Sequence, residues 1–185
     1  MKTERLDFRP IRESDAEAIY RNYATDPEVT RFMTWNPHPN IDVTKMIVNL
    51  WLEEDKQRPE IPRYVILEKG KDEAIGMINV VSLDEEGVPE IGYVLARKFW
   101  NKGYMTEACN AFVKKLFSLG YKKLYICADV DNIASNRVIE KCGFTFIGTK
   151  SYQIPLKGKT VTVNAYIKRK RARTRAHFLL IPLFL

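Results

Sequence analysis

The chain reads as a mixed α/β domain, on three observations. Short apolar runs bounded by glycine and acidic turns recur along it: Arg63 to Glu68, Ala74 to Ser82 and Val88 to Ala96 are separated by Lys69-Gly70-Lys71-Asp72 and Asp84-Glu85-Glu86-Gly87. Between such runs lie stretches with helical periodicity, the longest being Met105, Ala108, Cys109, Phe112, Val113, Leu116 and Phe117. Finally, the run Ile91-Gly92-Tyr93-Val94-Leu95-Ala96 passes through a basic turn with one glycine directly into that helical stretch.

Taken in order, Leu6-Asp7-Phe8-Arg9 predicts a first strand. Ser14 or Asp15 then caps a helix reaching about Asp26, with Ala18, Ile19 and Tyr23 on one face. Residues 33 to 40, Met33-Thr34-Trp35-Asn36-Pro37-His38-Pro39-Asn40, read as a rigid loop. Asp42 is the expected cap of a helix whose apolar stripe is Met46, Ile47, Leu50 and Trp51. Three strands follow over the runs named above, then a helix from Gly103 to Leu119. Lys123 to Cys127 predicts a buried strand, and Asn132 to Cys142 a helix ended by Gly143 in a left-handed cap. Phe144 to Thr149 and Thr160 to Ile167 complete the strands. There is no internal repeat and no linker, so residues 1–168 read as one domain and 169–185 as a separate tail.

At 185 residues the chain suffices for one domain with a real core. Its 45% hydrophobic and 29% charged residues describe a soluble globular protein. No apolar run approaches the roughly 18 residues of a membrane span. Met1-Lys2-Thr3-Glu4-Arg5 lacks a signal core, so cytoplasmic residence is expected. Cys109, Cys127 and Cys142 lack CxxC spacing and read as reduced core thiols; no metal site is expected. Six cations of the net +7 lie in residues 168 to 175, which carry no acid, leaving +1 for the chain before them. The domain itself is therefore nearly neutral and does not read as a nucleic-acid binder. The tail ends in Phe178-Leu179-Leu180-Ile181-Pro182-Leu183-Phe184-Leu185, too short to span a bilayer.

The strand, basic turn and helix start at 91–108 suit a phosphorylated ligand. The first turn of a helix offers unpaired N–H groups and the positive end of the helix dipole. Gly103 admits a phosphate close to the backbone, and Thr106 adds a hydroxyl donor. A nucleotide-type cofactor is expected.

Two blocks carry a more specific resemblance. One is Phe99-Trp100-Asn101-Lys102-Gly103-Tyr104-Met105-Thr106-Glu107-Ala108, and the other runs from Asp131-Asn132-Ile133-Ala134-Ser135-Asn136-Arg137 to Gly148. In this order and spacing they resemble the GNAT N-acetyltransferase superfamily, above all its branch of ribosomal-protein N-terminal alanine or serine acetyltransferases. Thr3-Glu4-Arg5-Leu6-Asp7-Phe8-Arg9-Pro10 and Glu90-Ile91-Gly92-Tyr93 resemble that branch too. The resemblance implies a central, mostly antiparallel sheet flanked by helices on both faces, and transfer of the acetyl group of acetyl-CoA to a primary amine by direct attack. It implies that Glu90 deprotonates the amine through water and that Ser135 donates to the departing thiolate. It assigns cofactor binding to the main chain of Tyr93, Val94 and Leu95, freed by a bulge near Gly92, and to Asn101, Lys102, Gly103, Tyr104, Met105 and Thr106. Arg97, Asn132, Asn136 and Arg137 complete that set, and Trp35 and His38 shape the acceptor side. The chain departs from the family's loop pattern, Q/R-x-x-G-x-G/A: Trp100 stands at its first position, Gly103 at the middle one and Met105 in place of the last small residue, and Met105 is expected to crowd the helix start.

The acceptor stays open between a protein N-terminus and a small amine such as a polyamine or aminoglycoside, and a homodimer is compatible with the sequence. Two other classes compete: a non-catalytic acyl-CoA-binding module, in which Glu90 and Ser135 would be structural, and a binder of nucleic acid or anionic surfaces acting through residues 168 to 175.

Overall fold

A computed structural model describes residues 1–171 of the chain. Its first strand, β1 (Leu6–Arg9), leads through a 3-10 turn (Glu13–Asp15) into α1 (Ala16–Ile19), which widens into a π-helical turn at Tyr20–Ala24. The helix predicted to reach about Asp26 runs without a break to Ala24, its last turn being π-helical. Asp26 instead starts a new helix, α2 (Pro27–Thr30), its side chain accepting from the Glu28 N–H. Asp15 accepts from the Arg12 N–H at 2.8 Å and pairs, almost fully buried, with Arg9. Beyond the 33–40 loop, α3 (Ile41–Gln57) is capped by Asn40 and not by Asp42, since Asn40 Oδ1 accepts from the Val43 N–H at 3.2 Å. Its buried face also differs from the expected stripe. Thr44 and Val48 are buried, while Met46 and Leu50 are half exposed.

The strands β2 (Arg63–Glu68), β3 (Gly76–Leu83) and β4 (Pro89–Leu95) form an antiparallel meander on β1. Helix α4 (Tyr104–Ser118) follows, then β5 (Lys123–Asp129), α5 (Ile133–Lys141), β6 (Thr145–Ile154) and β7 (Lys159–Arg169). The seven strands lie in the order β1-β2-β3-β4-β5-β7-β6, antiparallel except where β4 meets β5. The α/β sheet with helices on both faces is thus present. Alternation along β2 sorts the helices: Arg63 reaches Trp51 and Asp55 of α3, whereas the next residue, Tyr64, meets Phe112 of α4 edge to face. Helices α1–α3 cover one face, α4 and α5 the other.

The β6–β7 hairpin is longer than predicted and takes in the start of the basic run. Lys168 Nζ donates to the carbonyls of Cys142 and Gly143, closing the end of α5. Lys170 Nζ donates to the Phe117 carbonyl at 2.8 Å, at the end of α4. These cations cap helix carbonyls, where positive charge is favoured. The apolar end of the tail, Phe178 to Leu185, lies outside the described residues. No described helix is long and apolar enough to cross a membrane.

Candidate active site

The site follows from a failure of pairing. β4 and β5 are hydrogen-bonded neighbours at one position only, Glu90 opposite Tyr125, and then diverge. The two flanking helices start at the open end, α4 after β4 and α5 after β5. A wedge opens in the middle of the sheet with unpaired strand edge on its β4 side. Ladder parity decides which groups face it. Ala96 donates its N–H to the Ile75 carbonyl at 2.8 Å, so the alternation of an antiparallel pair turns Val94 and Gly92 toward β3 and leaves Tyr93 and Leu95 facing the wedge. Val94, expected to act alongside them, has its main chain committed to the β3 ladder. Trp100 Nε1 donates to the Leu95 carbonyl at 2.7 Å. That leaves the N–H groups of Tyr93 and Leu95 as the strand's donors into the wedge.

The bulge expected in β4 is on β3. Val80 pairs with Ile91 and Ser82 with Glu90, so Val81 is the extra residue. Gly92 is needed because of it: a Cβ at this position would lie 2.5 Å from Val81 Cγ1.

At the mouth of the wedge the chain turns through two left-handed residues, Asn101 (φ 59°) and Gly103 (φ 77°), before α4 begins. The first α4 bond runs from the Glu107 N–H to the Gly103 carbonyl, and among the described residues no acceptor meets the N–H groups of Asn101 to Thr106. Consecutive free amides around left-handed residues form a concave anion cradle at the positive end of a 15-residue helix. The turn offers donors to an anion, and glycine stands at 103 because the position is left-handed, a Cβ there pointing toward Arg5. Met105 does not crowd the helix start, because its side chain packs into the core. The basic residues diverge. Lys102 stays at the turn and Arg137 is exposed on α5, but Arg97 is drawn away into an ion pair with Asp26 at 2.9 Å.

Glu90 stands half-buried at the apex of the wedge. Its Oε1 accepts from the Cys127 thiol at 2.9 Å and its Oε2 from the Ser82 hydroxyl at 3.3 Å. Burial and the neighbouring Glu90 charge push Cys127 up to about 12, so the thiol stays protonated and acts as a donor, not a nucleophile. Lys150 of β6 lies over the Tyr125 ring, 4.8 Å from its centroid. On the other side of the wedge, Ser135 Oγ is 2.9 Å from the Tyr93 hydroxyl. Burial raises the Tyr93 phenol well above its ordinary value, so it too stays protonated. The Tyr93 side chain, unlike its main chain, was not singled out by the sequence; the contact depends on β4 and α5 meeting across the wedge.

Asn132 caps α5, accepting from the Ser135 N–H at 3.1 Å and so fixing the first turn that carries Ser135. Asn136 is buried, and its amide is fully engaged within the protein. It donates to the carbonyls of Asp129 and Asn132 and accepts from Asn164 and Tyr166. Its part is to tie α5 to β5 and β7, with no polar atom left over for a ligand. In the 33–40 loop, His38 and Trp35 rings meet at 5.2 Å and His38 Nδ1 contacts Thr44 Oγ1 at 2.7 Å. Asn36 donates to the Leu156 carbonyl and Lys157 to that of Thr30, so this loop and the β6–β7 turn form one rim.

The acetyltransferase (GNAT) domain family matches residues 5–145. The chain belongs to this family. The chain is 31% identical over 175 residues to the uncharacterized N-acetyltransferase p20 of Bacillus licheniformis, covering 91% of this chain and 95% of that one. A GNAT-family acetyltransferase from Bacillus anthracis superposes with a TM-score of 0.77 at 25% identity, covering 91% and 96%. RimL, a ribosomal alpha-N-protein acetyltransferase solved with coenzyme A, shares the fold at a TM-score of 0.78 and 23% identity, covering 90% and 95%. The acetyltransferase therefore takes its acetyl group from acetyl-CoA.

Proposed function

We propose that this acetyltransferase acetylates the free amine of a protein N-terminus, with Glu90 as base and Ser135 as proton donor. The observation that carries the reading is the wedge: Glu90 stands on its β4 wall at the apex, Ser135 on the α5 side, and the donor-only cradle of residues 101–106 at its mouth. When bound, acetyl-CoA supplies a thioester as acetyl donor. The chain's own groups do the rest. The amides of Asn101 to Thr106 hold phosphate oxygens, and the N–H groups of Tyr93 and Leu95 pair with the extended arm of the cofactor and with the thioester oxygen. Each Glu90 oxygen accepts one hydrogen bond from the protein and keeps a lone pair for water. Through that water it takes the proton the amine loses as the N–C bond forms. As the C–S bond breaks, Ser135 gives its hydroxyl hydrogen to the sulfur and regains a proton from solvent, to which Glu90 returns the proton taken from the amine. The Ser135 and Tyr93 hydroxyls both stay protonated at rest, which suits donation.

Trp35, His38 and the rim they share with the β6–β7 turn form the acceptor side. The likeness of fold to RimL supports an N-terminal peptide as the acceptor. The test is incubation with acetyl-CoA and a panel of peptides beginning in serine or alanine, alongside polyamines and an aminoglycoside, read by mass spectrometry. Acetylation at the peptide α-amine is the expected result. Acetylation of the small amines alone would overturn the acceptor assignment. Saturable CoA binding with no product from any amine would overturn the chemistry in favour of a non-catalytic binding module.

A further inference from the structure

The phosphate cradle is braced from outside by a residue distant in sequence. Arg5, just before β1, donates Nη1 to the Lys102 carbonyl at 2.9 Å and Nε to Glu107 Oε2 at 2.7 Å. Its own backbone N–H reaches Glu107 Oε1 at 2.9 Å, and its guanidinium lies 4.6 Å from the centre of the Tyr104 ring. Nη2 comes to 3.4 Å of where a Gly103 Cβ would stand. One side chain thus touches Lys102, Tyr104 and Glu107 and passes beside Gly103, spanning the left-handed turn and the first turn of α4. Such a turn, with its amides unpaired, is not held by its own hydrogen bonds. The guanidinium is already paired with Glu107, so the brace acts through geometry.

We infer that Arg5 is a positioning residue for the pyrophosphate of the cofactor. It clamps the Lys102 carbonyl away from the cradle and keeps the amides of residues 101–106 convergent on one anion. Glu107 is the anchor of the clamp and touches no phosphate. The inference rests on the reading of 101–106 as the phosphate cradle. It makes the opening Thr3-Glu4-Arg5 segment part of the cofactor site, although β1 lies at the far edge of the sheet from the wedge.

The test is calorimetric titration of the wild type, Arg5→Met and Arg5→Lys with CoA and with pantetheine, which carries no phosphate. Methionine keeps an apolar stem on Tyr104 and removes the clamp. Lysine keeps the charge but cannot hold Lys102 and Glu107 together in the same fork. The wild type should bind CoA much more tightly than pantetheine. Arg5→Met should weaken CoA about tenfold, the scale of one charged hydrogen bond, and leave pantetheine within about twofold. Arg5→Lys should fall between the two. An unchanged CoA affinity in both variants, or equal losses for CoA and pantetheine, would overturn the role of Arg5. A wild type that binds CoA and pantetheine alike would overturn the cradle itself, and the role of Arg5 with it.

Discussion

Replacing Glu90 by glutamine separates its chemistry from its place in the fold. The carboxylate accepts from the Cys127 thiol on one oxygen and from the Ser82 hydroxyl on the other. An amide of the same shape keeps the first bond through its oxygen. It presents NH2 to Ser82, whose hydroxyl turns to accept. The net change in stability is therefore about 1 kcal/mol or less. The chemical loss is larger, because a positioned base contributes roughly 10²- to 10⁴-fold. The variant should bind CoA like the wild type and lose about 10²-fold or more in kcat at neutral pH. The loss carries a sign in pH. An α-amine titrates near 7.7–8.0, so the deficit should shrink between about pH 7 and about pH 9 as the acceptor arrives already deprotonated. The assay is kcat against pH at saturating acetyl-CoA for both proteins. A variant retaining more than half the activity at neutral pH, or one whose deficit is flat across that range, would refute the assignment of Glu90 as base.

Cys127→Ser should change kcat by roughly threefold at most, since a hydroxyl still donates to Glu90; a loss of several orders of magnitude would instead indicate a covalent thiol step. Gly92→Ala should destabilise the protein by about 1–3 kcal/mol because its Cβ meets Val81, and Val81→Ala in the same chain should restore most of that. If the double variant melts no higher than Gly92→Ala alone, the bulge contact is not the reason for the glycine. Burial lowers His38 below its ordinary 6.5. The unfolded chain therefore binds the proton first, and the contribution of His38 to stability, complete above that value, is lost as pH falls below it. Denaturant midpoints of His38→Gln should lack this part of the acid slope, and parallel slopes in the two proteins would contradict the assignment.

Strand positions were legible where period-two patterning met strong turns. β1 and β2 lie where the apolar runs and the Lys69–Asp72 turn predict them, and α4 starts just after Gly103. Local competition was harder to read. Asn40 and Asp42 are both good caps, and the choice between them depends on where the chain leaves the 33–40 loop. The α3 stripe was read one residue out of phase because Thr44 is buried as if it were apolar. The turn before α4 was legible in outline because glycine and a following helix leave a local signature. The wedge is a product of the fold as a whole, since nothing local to β4 or β5 says where their pairing stops. Bulge placement, the facing of Tyr93 and Leu95, the Trp100 bond to Leu95 and the Arg5 clamp are all products of register and tertiary approach. Each joins residues whose partners a single sequence does not name.

Backbone amide NMR during titration with CoA tests the central claim, that the unpaired edge of β4 and the turn before α4 together form the cofactor site. The amides of Tyr93, Leu95 and Asn101 to Thr106 should shift and saturate together, while those of Gly92 and Val94, held by β3, move much less. Shifts confined to other surfaces, or none in a folded protein, would contradict the account.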